Sequence, residues 1–139
     1  MSFREKSAWA MALVTGVAGL WYLNKLIALA AGADATPAPL GLLLRYVIII
    51  VIASVVAQVT LAVMAPDEAE APADERERRV LARAGAQAGD VLGFGLLVSM
   101  AWFLFERDGN LLFHMAFFSL IVAQIVENLL QAVRLRRGE

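Results

Sequence analysis

Four long apolar stretches fill most of this chain of 139 residues and constrain its fold more than any other feature. They lie approximately at residues 8–29, 40–64, 84–105 and 111–133. A helix needs about 20 apolar residues to cross the hydrocarbon core of a bilayer, and each stretch supplies that number or nearly so. Because 60% of the residues are hydrophobic and 18% are charged, a water-soluble globule of this size could not bury them all. The sequence therefore predicts an all-α membrane protein with four transmembrane helices.

The basic residues predict how the helices are threaded. Most of the twelve Lys and Arg residues lie near the N-terminus, between the second and third stretches, and at the C-terminus. Four crossings place these segments on one side, which the positive-inside rule makes the cytoplasm. The other two connections are short and contain turn residues, Pro37 and Pro39 in one and Gly109 in the other. We therefore predict an up-down-up-down four-helix bundle with both termini in the cytoplasm.

A single transmembrane domain is expected over residues 1–139, with helices at about 8–29, 40–64, 74–105 and 111–133. The first apolar stretch exceeds the roughly 7–15 residues of a signal-peptide core, so we expect it to be retained. Prolines flank an acidic segment in the cytoplasmic linker 65–73, which is predicted to be extended. In the charged run that follows, acids precede arginines by four residues, the favourable order on a helix. The third helix should therefore begin about two turns before the membrane.

Several classes of chemistry have no support in the sequence. The absence of cysteine excludes disulfides, thiolate metal sites and thiol redox chemistry. There is no phosphate-binding glycine loop, zinc-protease motif or catalytic Ser/His/Asp set. His114, the only histidine, could be the axial ligand of a haem shared by two subunits, although a packed or interfacial histidine is the simpler interpretation. We expect no enzymatic activity, no metal and no cofactor. Acids alternate with the basic residues, which favours anionic lipid over nucleic acid as their partner.

Polar residues inside the apolar stretches form the first candidate site, because such residues are costly in a membrane. The fourth stretch carries Gln124, Glu127, Asn128 and Gln131, whose spacing places them on one helical face. Residues at a matching depth in the other stretches are Gln58, Thr60, Gln87 and Asp90. One interpretation is a polar cavity open to the cytoplasm, with Glu127 and Asp90 as proton or cation sites. The other is a set of interhelical hydrogen bonds that fix the packing, each contributing about 0.6 kcal/mol.

Four further groups of residues are candidates for contacts. The cytoplasmic start of the third helix offers a contact surface of Arg76, Arg78 and Arg79. The outer face offers Lys25, Arg45 and Glu106, either as an anion or headgroup site or as side chains that extend to the interface and form salt bridges there. Aromatic residues near the predicted membrane edges are interpreted as interfacial anchors: Trp9, Trp21, Tyr22, Tyr46 and Trp102. Gly89 and Gly93 give the third helix a small face for packing within the chain or in a homodimer.

Three short motifs carry a resemblance to a family. They are Glu5-Lys6-Ser7-Ala8-Trp9, Asp74-Glu75-Arg76-Glu77-Arg78 and Arg136-Arg137-Gly138. Together they resemble small bacterial four-helix integral membrane proteins of unknown function, similar to the DUF2178 group. Glu77 stands where a second Asp is common in that group. The resemblance implies a bacterial inner membrane and a sensory or regulatory setting, and it transfers no site residues.

These observations predict a small non-enzymatic integral membrane protein that binds a lipid, a small ligand or a protein partner in a sensory, regulatory or accessory role. The alternative is a small dimeric transporter or proton-coupled carrier that uses Glu127 and Asp90. The expected partners are the lipid bilayer, a second copy of the chain in a homodimer, and a membrane or cytoplasmic protein.

Overall fold

The computed structural model describes residues 1–138 and folds them into helices joined by short connections. The helices are α1 (Phe3–Ala30), α2 (Leu40–Met64), α3 (Pro66–Glu70), α4 (Glu75–Glu106) and α5 (Gly109–Arg137). All of them except α3 are long and apolar enough to cross a membrane. The prediction of an all-α chain with four candidate membrane-spanning helices is confirmed, and these helices indicate a multi-pass membrane protein.

Local hydrogen bonds define where α4 begins. The Asp74 carboxylate accepts a hydrogen bond from the Glu77 backbone N–H at 2.6 Å, and the Glu77 carboxylate accepts one from the Asp74 N–H at 3.2 Å. This reciprocal capping box satisfies two donors that a helix start would otherwise leave unpaired. It starts α4 well before the apolar residues. In the preceding linker, where an extended segment is expected, Pro66–Glu70 forms the short helix α3.

A left-handed residue and a second cap connect α4 to α5. Arg107 has a φ of 52°, and it is the only non-glycine residue with positive φ in the described part of the chain. The Asp108 side chain then accepts hydrogen bonds from the backbone N–H groups of Asn110 and Leu111. The chain therefore reverses direction within two residues, and α4 and α5 form an antiparallel hairpin.

The four long helices lie side by side in the order α2, α1, α5, α4. The backbone of α1 packs against α2 and α5, and α4 packs against α5. Within residues 1–138, α2 and α4 share no extensive backbone contact, so the helices alternate in direction but do not close into a ring. Contacts between Arg4 and Glu77 and between Arg76 and Leu135 join one end, called the termini end here. The opposite end is called the loop end.

Small side chains let α1 and α5 approach closely. The buried residues of α1 repeat at alternating intervals of three and four positions, and they include Glu5, Ala8, Ala12, Thr15 and Tyr22. Such spacing places them on one stripe of the helix, and small residues there permit close backbone contact in membrane proteins. Glu5 is the only carboxylate on this stripe, and it lies in the first turn, where the helix dipole favours negative charge.

Gly95 sets the distance between α4 and α5. A Cβ atom at this position would lie 2.5 Å from the Ser119 Cβ and would also clash with its Oγ. Gly93, on the same helix, has no atom within 4 Å of the corresponding position. The two glycines therefore differ in role, because only at Gly95 would a side chain collide with the neighbouring helix.

The outer helices present most of their apolar side chains to the surroundings. None of the residues in the most apolar window of α2 is buried. On α4, Phe94 is 71% exposed and Phe105 is 84% exposed. Water would make such a surface unfavourable, whereas lipid covers it at little cost. The exposure pattern thus agrees with the hydropathy of the sequence.

Candidate functional site

The predicted intramembrane polar cluster divides into separate pairs. Gln58 of α2 exchanges hydrogen bonds with the Ser7 hydroxyl of α1, at 2.8 and 3.0 Å. Gln87 of α4 accepts a hydrogen bond from Arg134 of α5 at 2.5 Å. Thr60 donates to the backbone carbonyl of Val56 within α2. Each of these polar side chains therefore bonds to a partner of its own, and they do not meet in one cavity.

Glu127 is held by its own helix. Its two carboxylate oxygens accept hydrogen bonds from Gln131 at 3.1 Å and from Gln124 at 3.5 Å. Asn128 donates to the backbone carbonyl of Gln124. Asp90 is exposed on α4, and no hydrogen bond or ion pair joins it to another described residue. The structure therefore gives Glu127 neighbours that stabilise the helix face and does not pair it with Asp90.

The outer-face residues Lys25, Arg45 and Glu106 lie at the loop end and are all exposed. No ion pair links Arg45 to Glu106 among residues 1–138. Their long side chains are free to extend into the interface. The structure does not bring these three residues together as an anion site.

A different set of polar residues holds the loop end together. The Thr36 hydroxyl donates a short hydrogen bond to the Asp108 carboxylate, and Asn110 donates to the Thr36 carbonyl at 3.1 Å. The hydrogen bond from Thr36, followed by those from the backbone N–H groups of Leu111 and Asn110, lowers the pKa of Asp108 below its usual value. The connection between α1 and α2 is thereby attached to the start of α5.

A buried relay of hydrogen bonds lies just inside this end. The Tyr22 hydroxyl is 2.6 Å from His114 Nδ1, and His114 Nε2 is 2.9 Å from the Pro37 carbonyl oxygen. A carbonyl can only accept, so Nε2 carries the proton, and Nδ1 accepts from Tyr22. The ring of Phe117 packs 5.1 Å from Tyr22. Both imidazole nitrogens are thus engaged in a buried site, which does not fit an axial haem ligand.

Two of the aromatic anchors expected from the sequence belong instead to the core. Tyr22 is fully buried and Tyr46 is 6% exposed, and their rings make an edge-on contact at 5.7 Å. Position along the chain suggested the membrane edge, but it did not show which helical face each ring occupies. Tyr22 continues the three-and-four spacing of the small residues on α1, and that spacing was the signal for burial.

Four arginines line a pocket at the termini end, between α4 and α5. The pocket has a volume of about 210 Å³ and is lined by Arg76, Arg79, Val80, Arg83 and Arg134. Residues at these intervals on α4 share one helical face. Two arginines predicted as a cytoplasmic contact, Arg76 and Arg79, therefore face this cavity. We call this feature the arginine pocket.

The third predicted contact residue, Arg78, does not line the arginine pocket. Its side chain is exposed and donates a hydrogen bond to the Ala73 carbonyl at 3.1 Å. The nearby acids also differ in their partners. Glu75 pairs with Arg79 of the pocket at 2.6 Å, whereas Glu77 pairs with Arg4 of α1 at 3.0 Å. Arg79 of the pocket is therefore paired with Glu75, whereas Arg83 makes no ion pair with a described carboxylate.

No protein-family model, curated protein or solved structure matches this chain. Within residues 1–138, no group of three His, Cys, Asp or Glu residues is placed to hold a metal ion. Function must therefore be inferred from the pairing and exposure of the chain's own side chains.

Proposed function

We propose that this chain is a small non-enzymatic integral protein of a bacterial inner membrane that binds a ligand or partner at its termini end. In this proposal both termini lie in the cytoplasm, as the distribution of basic residues predicts. The role is accessory or regulatory, in keeping with the resemblance to small four-helix membrane proteins.

The observation that carries the proposal is the contrast between the termini end and the rest of the molecule. Inside the spans, Glu127 and His114 have their polar atoms engaged by neighbours. At the termini end, guanidinium groups converge on an open cavity beside the exposed, capped start of α4. One of them, Arg83, makes no hydrogen bond or ion pair with a described residue, and a charged group placed at a cavity is typical of ligand-binding sites.

The transport alternative receives less support from the geometry. A carrier that uses Glu127 and Asp90 needs both carboxylates on one path, but the first is bonded to Gln124 and Gln131 and the second lies exposed on α4. A liposome flux assay of the wild type and of Glu127→Gln tests this alternative. Flux in the wild type that is lost in the variant would favour transport over the binding role.

Site-specific cross-linking in cells tests the binding role. A photoreactive amino acid replaces Arg79, which lines the pocket, and the matched control replaces Arg45, an exposed arginine at the loop end. We expect a discrete lipid or protein adduct from position 79 and none from position 45. Reporter fusions at the two termini should both register the cytoplasm. The proposal is wrong if position 79 yields no adduct, or if the two reporters lie in different compartments.

A further inference from the structure

We propose that the arginine pocket binds the phosphate group of an anionic membrane phospholipid. The inference rests on the proposed function and deepens it, because it identifies the chemical class of the ligand at the termini end. Three properties of the pocket support a lipid phosphate: its depth, its unmatched donors and its size.

The depth of the pocket corresponds to the headgroup region. Arg83 directly precedes the apolar residues of α4, and Arg134 directly follows those of α5. Both arginines therefore lie where their helices pass from the apolar core into the polar interface. Lipid phosphates occupy that level, and basic residues there attract anionic lipids.

The pocket also holds donors that the protein leaves unused. Among the described residues, Arg83 makes no hydrogen bond or ion pair. Arg134 Nη2 donates to Gln87, but Arg134 Nη1 is buried and has no acceptor within residues 1–138. A buried donor without an acceptor is unfavourable, and an anion between α4 and α5 would supply one. The planar guanidinium group matches phosphate oxygens and can donate to two of them at once.

The size of the cavity favours a headgroup over a larger ligand. Its volume of about 210 Å³ is below the roughly 300 Å³ at which pockets for drug-sized molecules begin. A phosphate with part of its glycerol fits that space, and the acyl chains would remain in the adjoining bilayer. The phosphate chemistry could also come from free inorganic phosphate, so the experiment includes both sources.

The test uses the full chain, purified in detergent and reconstituted into nanodiscs of phosphatidylcholine mixed with phosphatidylglycerol. Native mass spectrometry counts the phosphatidylglycerol molecules that remain bound to the wild type, Arg83→Gln and Arg78→Gln. The two variants remove the same charge from the same helix, but only Arg83 lines the pocket. One arginine near a membrane surface contributes about fivefold to the binding of an anionic lipid. We therefore expect retention about fivefold lower in Arg83→Gln and unchanged in Arg78→Gln.

Further measurements separate loss of the pocket from loss of folding and from binding of the free ion. Circular dichroism and thermal unfolding check that Arg83→Gln folds as the wild type does, and Arg134→Gln repeats the test from the other helix. Inorganic phosphate is titrated into the nanodiscs as a competitor. Lipid binding that survives excess phosphate, and that falls in both pocket variants, supports the proposal.

Other outcomes would overturn it. Equal losses in Arg83→Gln and Arg78→Gln would show a general charge effect and no pocket. Displacement of the lipid by modest concentrations of inorganic phosphate would assign the site to the free ion. Absence of bound lipid together with a protein adduct at position 79 would refute the lipid assignment and leave the proposed binding role intact. Absence of both would refute the two proposals together.

Discussion

The substitution Gly95→Ala tests whether close contact between α4 and α5 holds the fold together. The added Cβ would lie 2.5 Å from the Ser119 Cβ, whereas carbon atoms in contact are normally about 3.5–4.0 Å apart. A change of side-chain rotamer can move the Ser119 Oγ but not its Cβ, which is fixed to the backbone. The two helices must therefore separate by about 1 Å or more. Overpacking of this kind costs about 1–3 kcal/mol.

Gly93→Ala is the matched control for this substitution. Its new Cβ would meet no atom within 4 Å, and replacing a helical glycine with alanine stabilises a helix by up to about 1 kcal/mol. We therefore expect the two variants to differ by about 2 kcal/mol in free energy of unfolding, a factor of about 30 in the unfolding equilibrium.

The assay is a reversible SDS titration of the purified protein in mixed micelles, followed by tryptophan fluorescence. Trp21 packs against the core and serves as a reporter. The double variant Gly95→Ala with Ser119→Gly removes the clashing atoms, so its loss of stability should be smaller than the sum of the two single losses. If Gly95→Ala is as stable as Gly93→Ala, or if the second substitution gives no rescue, the helix contact at Gly95 is not what we describe.

Two further predictions concern the loop end. Tyr22→Phe leaves the buried His114 Nδ1 without a donor and should lower the free energy of unfolding by about 1–3 kcal/mol. Tyr46→Phe, whose hydroxyl makes no hydrogen bond with a described residue, should change it by less than about 0.5 kcal/mol; equal effects in the same SDS titration would contradict the relay. The pKa of Asp108 is lower in the folded than in the unfolded chain because Thr36 and backbone N–H groups bond to the carboxylate. The resulting stabilisation is present above the usual pKa of 3.8 and is lost as the pH falls through the lower folded-state pKa. Unfolding measured from about pH 6 to pH 2 should therefore show a component that Asp108→Asn removes and Thr36→Val reduces, and an unchanged profile in both variants would refute it.

The helical architecture was predictable because its signals are local. Apolar runs of sufficient length, the acidic cap at Asp74 and the turn after Glu106 each depend on residues near in the chain. The order of helices was not predictable in the same way. Which helices become neighbours depends on complementary surfaces such as Gly95 against Ser119, and these residues are distant in sequence. The open α2, α1, α5, α4 arrangement therefore came from the structure.

The sequence indicated which residues are candidates for a site but not how those residues are arranged in space. Matching depth suggested that Gln58, Gln87 and Glu127 would meet, but depth does not specify the direction in which a side chain points around its helix. Each of the three found a nearer partner. Of the three arginines predicted as a cytoplasmic contact, Arg76 and Arg79 line the arginine pocket but Arg78 does not, and Arg83 lines it as well. A shift of five positions changes the helical face, because a full turn takes about 3.6 residues.

The central position of α1 and α5 has a consequence for biosynthesis. A ribosome delivers α1 into the bilayer before the three other long helices. The most extensive backbone contact of α1 is with α5, however, and α5 is synthesised last. Until α5 is synthesised, the buried stripe of α1 that ends in Tyr22 has no helix to pack against on that side, and His114 is not yet made. Assembly must therefore be completed late, when α5 inserts beside α1 and displaces the lipid that temporarily covered it.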